Sequence, residues 1–161
     1  MIVVVMGVSG VGKTTIGSAL AARLGCDFLD GDDWHPAENV VKMTAGTPLT
    51  DDDRWPWLDR LNAELRRHEA LGESAVLACS ALKESYRERL LRGVQRSALV
   101  FLHGSFELIL DRIESRRHRY MPASLLESQF AALEPPAKAI AIDVAQELKS
   151  CLDRIASALR R

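Results

Sequence analysis

The chain has 161 residues, 47% of them hydrophobic and 27% charged, which is the composition of one globular domain spanning 1–161 and excludes a disordered or fibrous chain. Its 21 basic and 22 acidic side chains leave a net charge of −1, so no overall field draws in nucleic acid or an anionic membrane surface. Cys26, Cys79 and Cys151 are widely spaced and form no CxxC pair, which argues against a disulfide framework or a zinc knuckle. The apolar start Ile2–Met6 is too short for a signal segment, and no run approaches the roughly 20 apolar residues of a membrane span, so a cytoplasmic protein is expected.

Apolar runs and helical patterns alternate along the whole chain. Ile2–Met6 is a β-branched run suited to a strand buried on both faces. Lys13–Leu24 follows as a helix with Ile16, Leu20 and Leu24 on one face and Gly25 as its stop. Phe28-Leu29-Asp30 reads as the end of a second strand. Pro36 opens a short helix through Val40, Val41 and Met43, closed by Gly46. Leu58, Leu61, Leu65 and Leu71 mark a longer helix with an Asp-rich first turn.

The second half continues the alternation. Ala75–Cys79 is a third strand, Lys83–Leu91 a charged helix with Ser80 as a candidate cap, and Ala98–Leu102 a fourth strand. Ser105 caps a helix carrying Phe106, Ile109, Leu110 and Ile113. Leu126, Phe130 and Leu133 lie on another helix, ended by Pro135-Pro136. Ala139–Val144 is the fifth strand, and Leu148, Leu152, Ile155 and Leu159 share the face of the last helix. Such alternation predicts an α/β fold, a parallel sheet covered by helices on both faces, with its ligands at the carboxyl ends of the strands.

The chemistry begins at Gly7-Val8-Ser9-Gly10-Val11-Gly12-Lys13-Thr14, which matches GxxxxGK[ST] between a strand and a helix. Glycines let successive N–H groups turn toward phosphate oxygens, and the helix that begins at Lys13 adds its positive end. Lys13 is expected to reach the β- and γ-phosphates of ATP and Thr14 to ligate Mg2+, with Thr15 beside them in the cradle. The motif places the chain among P-loop NTPases.

Leu29-Asp30-Gly31-Asp32-Asp33-Trp34-His35 puts three carboxylates at the end of the second strand. Phosphoryl transfer to a hydroxyl needs one carboxylate to take the proton or orient the nucleophile and another to hold Mg2+. Asp32 and Asp30 suit these roles, and a solvated turn with a helix cap is the ordinary alternative. His35 is either a substrate hydrogen-bonding group or an ordinary polar residue before Pro36. Arg54, inside Asp51-Asp52-Asp53-Arg54-Trp55-Pro56-Trp57, is either a clamp for an anionic substrate or half of a surface ion pair. Lys83 and Arg87 lie one helical turn apart and are expected to point into the cleft together. Arg112, Arg116, Arg117 and Arg119 lie at and after the end of the fifth predicted helix, where a basic segment can close over ATP and neutralise the transferring phosphoryl group.

Several of these stretches resemble the bacterial-type gluconate kinases of the P-loop superfamily. The blocks are Met6–Gly10, Phe28–Asp32 with His35-Pro36, Lys42-Met43, Gly46–Leu58, Cys79–Lys83 with Tyr86-Arg87, and Leu125–Glu134, and they span about nine-tenths of the chain in family order. The resemblance implies a three-layer, shikimate-kinase-like core with five parallel strands in the order 2-3-1-4-5 and a helical lid over about 114–124. It further implies transfer of the ATP γ-phosphate to the C6 hydroxyl of D-gluconate, with Lys13, Asp32, Arg116 and Arg117 at the reaction centre. Residues 7–15 and Arg112 would hold the nucleotide, Asp32, His35, Arg54, Lys83, Arg87 and Gln129 the sugar acid, and Thr14 and Asp30 the metal. Enzymes of this family are often homodimers, and that state is implied too. Where relatives usually carry Gly-His-Phe-Met-Pro in the lid, this chain has His118-Arg119-Tyr120-Met121-Pro122, and the segment after Pro136 is a few residues short. Other acceptors (shikimate, adenylylsulfate, another aldonate) and a nucleotide-binding regulator without turnover are the competing readings. Cys79-Ser80-Ala81-Leu82, standing where a shikimate-specific glycine triplet would, counts against shikimate.

Overall fold

The computed structural model describes residues 1–116 and 123–161. Five strands, β1 (Ile2–Met6), β2 (Asp27–Asp30), β3 (Ala75–Ala78), β4 (Ser97–His103) and β5 (Ile140–Asp143), form one sheet in the order β2-β3-β1-β4-β5. Every pairing is parallel, with Ile2 opposite Ala75 on one side and Ser97 on the other. This is the predicted order.

Residues of β1 alternate between two cores, as the period of a strand requires. Val3 and Val5 face a cluster with Ile16, Leu20, Ile109, Ile113, Leu126 and Ile155, contributed by α1 (Lys13–Leu24), α5 (Phe106–Glu114), α6 (Ala123–Ala132) and α7 (Leu148–Leu159). Ile2, Val4 and Met6 face the other cluster, built by Leu58, Leu61 and Leu65 of α3 (Asp51–Ala70) and Tyr86 and Leu90 of α4 (Glu84–Leu90). The continuous Ile2–Met6 run is apolar because both sides of the strand are covered.

Helix ends follow local chemistry. Gly25 takes the left-handed conformation that closes α1, and the Ser105 hydroxyl accepts from the Leu108 N–H to start α5. Thr50 and Asp53 form a reciprocal capping box at α3, each side chain bonding the other's backbone N–H. Pro56 lies inside α3 and leaves one rung of its ladder unmade.

Four details add to the sequence expectation or depart from it. Helix α2 (Ala37–Thr44) forms, but Val40, Val41 and Met43 are exposed. Its inward face is polar instead: Asn39 donates to the Asp53 carbonyl at 2.9 Å, and Lys42 pairs with the Asp53 carboxylate at 2.7 Å. Leu71 is outside α3 and exposed, because the inward positions run Leu58, Leu61, Leu65, His68 and the helix then ends. Ser80 does not cap α4. The Glu134 carboxylate accepts from the Glu84 N–H across 50 residues of sequence. A 3-10 turn over Gly31–Trp34, capped by Asp30, carries the chain out of β2, as the alternative reading of that stretch allows.

Candidate active site

The carboxyl ends of β1, β2 and β3 meet around a cleft of about 130 Å3. The cleft is lined by Ser9, Gly10 and Gly12 from the loop after β1, Lys13, Thr14 and Thr15 from the start of α1, Asp30 at the end of β2, Asp32 in the turn after it, Ser80 after β3, and Arg116 beyond α5. Of the predicted nucleotide cradle, Gly7, Val8 and Val11 stand behind this surface as buried support. Gly10 and Gly12 adopt φ of 79° and 103°, backbone that a side chain resists. A Cβ on Gly10 would also collide with Ile113 of α5.

Lys13 donates to the carbonyls of Gly7 at 3.1 Å and Val8 at 2.9 Å, so its ammonium lies along the loop it follows. Burial pushes its pKa below the ordinary lysine value, against the opposing pull of Asp32, Cys79 and Asp30. Cys79, at the floor, is driven the other way by burial, up to about 12, and stays a thiol.

Thr14 donates its hydroxyl to Asp30 Oδ2 at 3.2 Å, while Asp30 Oδ1 accepts the Asp32 N–H at 3.1 Å. Asp30 thus caps the 3-10 turn and faces the threonine at once, so the two sequence readings of it are compatible. A hydroxyl and a carboxylate converging at the mouth of a phosphate cradle are the hard oxygen donors that Mg2+ takes, usually with water completing its shell. Asp32 projects into the same cleft, exposed to solvent.

Beside the cleft, His35 stacks on Trp57 with ring centroids 4.2 Å apart and planes 17° from parallel. Its Nδ1 meets the Asn39 amide Nδ2 at 3.2 Å. An amide N–H can only donate, so Nδ1 is the acceptor and the Nε2 atom carries the ring proton. Burial lowers the His35 pKa, with Arg54 and Arg60 adding to the effect and Asp32 opposing it. Trp57 in turn donates Nε1–H to the Gly31 carbonyl at 2.8 Å, fixing α3 to the turn that carries Asp32. Asn39 and Trp57 were not anticipated as site residues. The four-residue step from His35 to Asn39 was the available signal.

Arg54 donates to the Leu49 carbonyl at 2.6 Å and lies 3.8 Å from the Asp51 carboxylate. Lys83 lies 3.5 Å from the same carboxylate. Both cations sit over the Tyr86 ring, at 5.3 and 5.5 Å from its centroid, and the Tyr86 hydroxyl donates to Asp51. Two cations therefore share one carboxylate, leaving positive charge available to an anion. The hydrogen bond from Tyr86, then Lys83 and Arg54, hold the Asp51 pKa below the usual carboxylate range.

Arg87 does not join them. Its guanidinium is buried and donates to the carbonyls of Ala81, Leu82 and Glu134 and, twice, to Glu84 Oε2. All five of its N–H groups are engaged by protein. Gln129 is likewise turned to the P-loop, bonding Ser9. Arg112 donates to the Val144 carbonyl at 2.5 Å, joining α5 to the loop after β5. Arg117 and the rest of 117–122, with the substituted lid sequence, lie outside the described residues.

Away from the cleft, His68 is held between the Glu64 carbonyl and Asp27 Oδ2 with Glu73 nearby, a clip joining the end of α3 to the start of β2. A larger hollow of about 450 Å3 lies at the opposite end of the sheet, beside Met1, Leu99, Lys138, Ile140 and Leu159. Among the described residues its charged groups are Lys138 and the Met1 amino terminus, with no acid–base pair, so the smaller cleft is the chemical one.

A phosphate cradle at a sheet switch point, with carboxylates at the end of β2 and cations beyond them, defines a P-loop kinase of small molecules. The shikimate kinase family model matches residues 9–146. The gluconokinase of Gluconobacter oxydans is 51% identical over 83% of this chain and 75% of its own length, and the thermosensitive gluconokinase of Escherichia coli is 48% identical over 83% and 71%. The crystal structure of a gluconokinase from Sinorhizobium meliloti superposes with a TM-score of 0.87 at 45% identity, covering 99% of this chain and 91% of that one. The chain belongs to the gluconokinase family, and it is an enzyme of that family.

Proposed function

We propose that the chain transfers the γ-phosphoryl group of ATP to the C6 hydroxyl of D-gluconate, giving 6-phospho-D-gluconate and ADP. The observation that carries this reading is the meeting of Lys13 and Asp32 in one cleft, with the Arg54–Lys83 cation pair beyond it. The hydroxyl oxygen forms the new bond to Pγ while the bond from Pγ to the β,γ-bridging oxygen breaks. The electron pair leaves with ADP, and the hydroxyl proton passes to the Asp32 carboxylate.

Lys13 and the amides of the P-loop hold the phosphates through this change, and Arg116, with Arg117, offsets charge on the phosphoryl oxygens. Thr14 and Asp30 would hold Mg2+, which supplies neutralisation of the β- and γ-phosphate oxygens when bound. Arg54 and Lys83 take the carboxylate of the sugar acid, and the His35 Nε2–H donates to one of its hydroxyls. Arg87 and Gln129 serve the protein's own loops in this scheme. On the same reading residues 1–161 act as one domain, in the cytoplasm and as a homodimer.

Acceptor-dependent ADP release with Mg·ATP tests the proposal, comparing D-gluconate with shikimate, other aldonates and no acceptor. Turnover of about 1–100 s⁻¹ on gluconate alone is expected. Turnover on another acid with none on gluconate overturns the substrate assignment.

A further inference from the structure

Gln129 and Ser9 are 120 residues apart and bonded twice. The Ser9 N–H donates to Gln129 Oε1 at 2.7 Å, and Gln129 Nε2 donates to Ser9 Oγ at 2.9 Å. The carboxamide therefore acts as donor and acceptor toward a single residue, which fixes both the peptide plane and the hydroxyl rotor of Ser9. Ser9 is the third position of the phosphate cradle and lines its cleft.

The neighbouring contacts give this grip its meaning. Gly10, next in the loop, lies against Ile113 of α5 so closely that no Cβ fits. The tip of the cradle is thus held by α5 on one side and by α6 on the other. Lys13 meanwhile donates to the carbonyls of Gly7 and Val8, immediately before Ser9. Rotation of the Ser9 peptide would turn the Val8 carbonyl with it, because that carbonyl belongs to the same peptide unit as the Ser9 N–H. One amide side chain on α6 consequently sets the peptide whose oxygen receives the lysine ammonium.

We propose that Gln129 is a positioning residue for nucleotide: through the Ser9 peptide it fixes the carbonyl that anchors Lys13 and the amides that follow it. The inference rests on the kinase reading above, but it concerns nucleotide binding and not the choice of acceptor. Gln129 acts here through the P-loop and makes no contact with the sugar acid.

The test is calorimetric titration of ADP, with Mg2+ present, into the wild-type chain, Gln129→Leu, Ser9→Ala and the double variant. Loss of two neutral hydrogen bonds to the cradle predicts an ADP Kd about 10-fold weaker in Gln129→Leu. Ser9→Ala keeps the backbone bond and is expected to weaken ADP only about 3-fold. The double variant is expected to match Gln129→Leu alone, since the same contact is being removed. Steady-state kinetics should show the KM for ATP rising while that for gluconate stays within about 2-fold. An unchanged ADP Kd in Gln129→Leu, multiplicative effects in the double variant, or a rise confined to the KM for gluconate would each overturn the proposal. If Gln129→Leu does not fold, the Ser9→Ala titration decides alone, with an unchanged Kd counting against. Wild-type chain that fails to bind ADP would instead refute the kinase reading itself.

Discussion

Replacing Arg87 with Met tests whether its guanidinium holds the protein's own loops together or serves the sugar acid. Methionine keeps an apolar stem of similar reach and removes all five donors. The carbonyls of Ala81 and Leu82 sit at buried bonds, and that of Glu134 at a half-buried one. The Leu82 carbonyl keeps a second donor, the Glu134 N–H at 2.9 Å. Leaving the other two without a partner costs about 1–2 kcal/mol each, about 2–4 kcal/mol together. The Glu84 carboxylate is well exposed and adds little. Against a total stability of about 5–15 kcal/mol this is a large fraction. Equilibrium unfolding in urea, followed by tryptophan fluorescence, should show the midpoint falling by about 1–2 M at unchanged slope, taking a slope of about 2 kcal/mol per M. Arg87→Lys should recover only part, because an ammonium offers its donors at one point and cannot span three carbonyls. A midpoint displaced by less than about 0.5 M in Arg87→Met, together with a selective rise in KM for the sugar acid, would refute the reasoning and return the guanidinium to the substrate.

Three other outcomes follow from the site. Asp32→Asn should lower kcat by about 10²–10⁴-fold with ADP affinity intact, as measured by turnover and titration, and unchanged turnover removes Asp32 from the mechanism. Arg54→Ala should raise the KM for gluconate with little effect on that for ATP, and the reverse pattern would place the cation on the nucleotide instead. The hydrogen bond from Lys42, with those of Thr50, lowers the Asp53 pKa to about 2 from an ordinary 3.8. A carboxylate depressed on folding stabilises the chain above the unfolded value and loses that contribution as pH falls from about 4 toward about 2. Urea midpoints across this window should therefore drop less steeply in Asp53→Asn than in the wild-type chain, and parallel curves would count against the assignment.

Much of the fold was legible because its signals are local. A β-branched run against GxxxxGK[ST] specifies strand, cradle and helix within fourteen residues, and Asp30 and Asp32 follow at a strand end of the same sheet. What was not legible depends on partners distant in sequence. Lys83 and Arg87 look alike as cations one turn apart, yet Glu134 and two loop carbonyls bury one and leave the other facing Asp51. Helix α2 was legible as a helix, but its rotation was not: the Asp53 carboxylate and carbonyl attract Lys42 and Asn39 and leave Val40, Val41 and Met43 exposed. Glu134 caps α4 from 50 residues away, which no local capping pattern announces.

Pro56 has a mechanical consequence for the first turn of α3, where the proposed clamp for the acid stands. Having no N–H, it leaves the Asp52 carbonyl without its ladder partner, just above the turn that bears Asp51, Asp53 and Arg54. That turn is fastened sideways instead, through Lys42 and Asn39, to α2, while Leu58, Leu61 and Leu65 anchor the rest of α3 beneath the sheet. The helix is thus continuous but has two separate supports, the sheet for its shaft and α2 for its first turn. Arg54 lies in that first turn, so the clamp proposed for an acid is tied to α2 and to Asp51, apart from the core that holds the phosphate cradle.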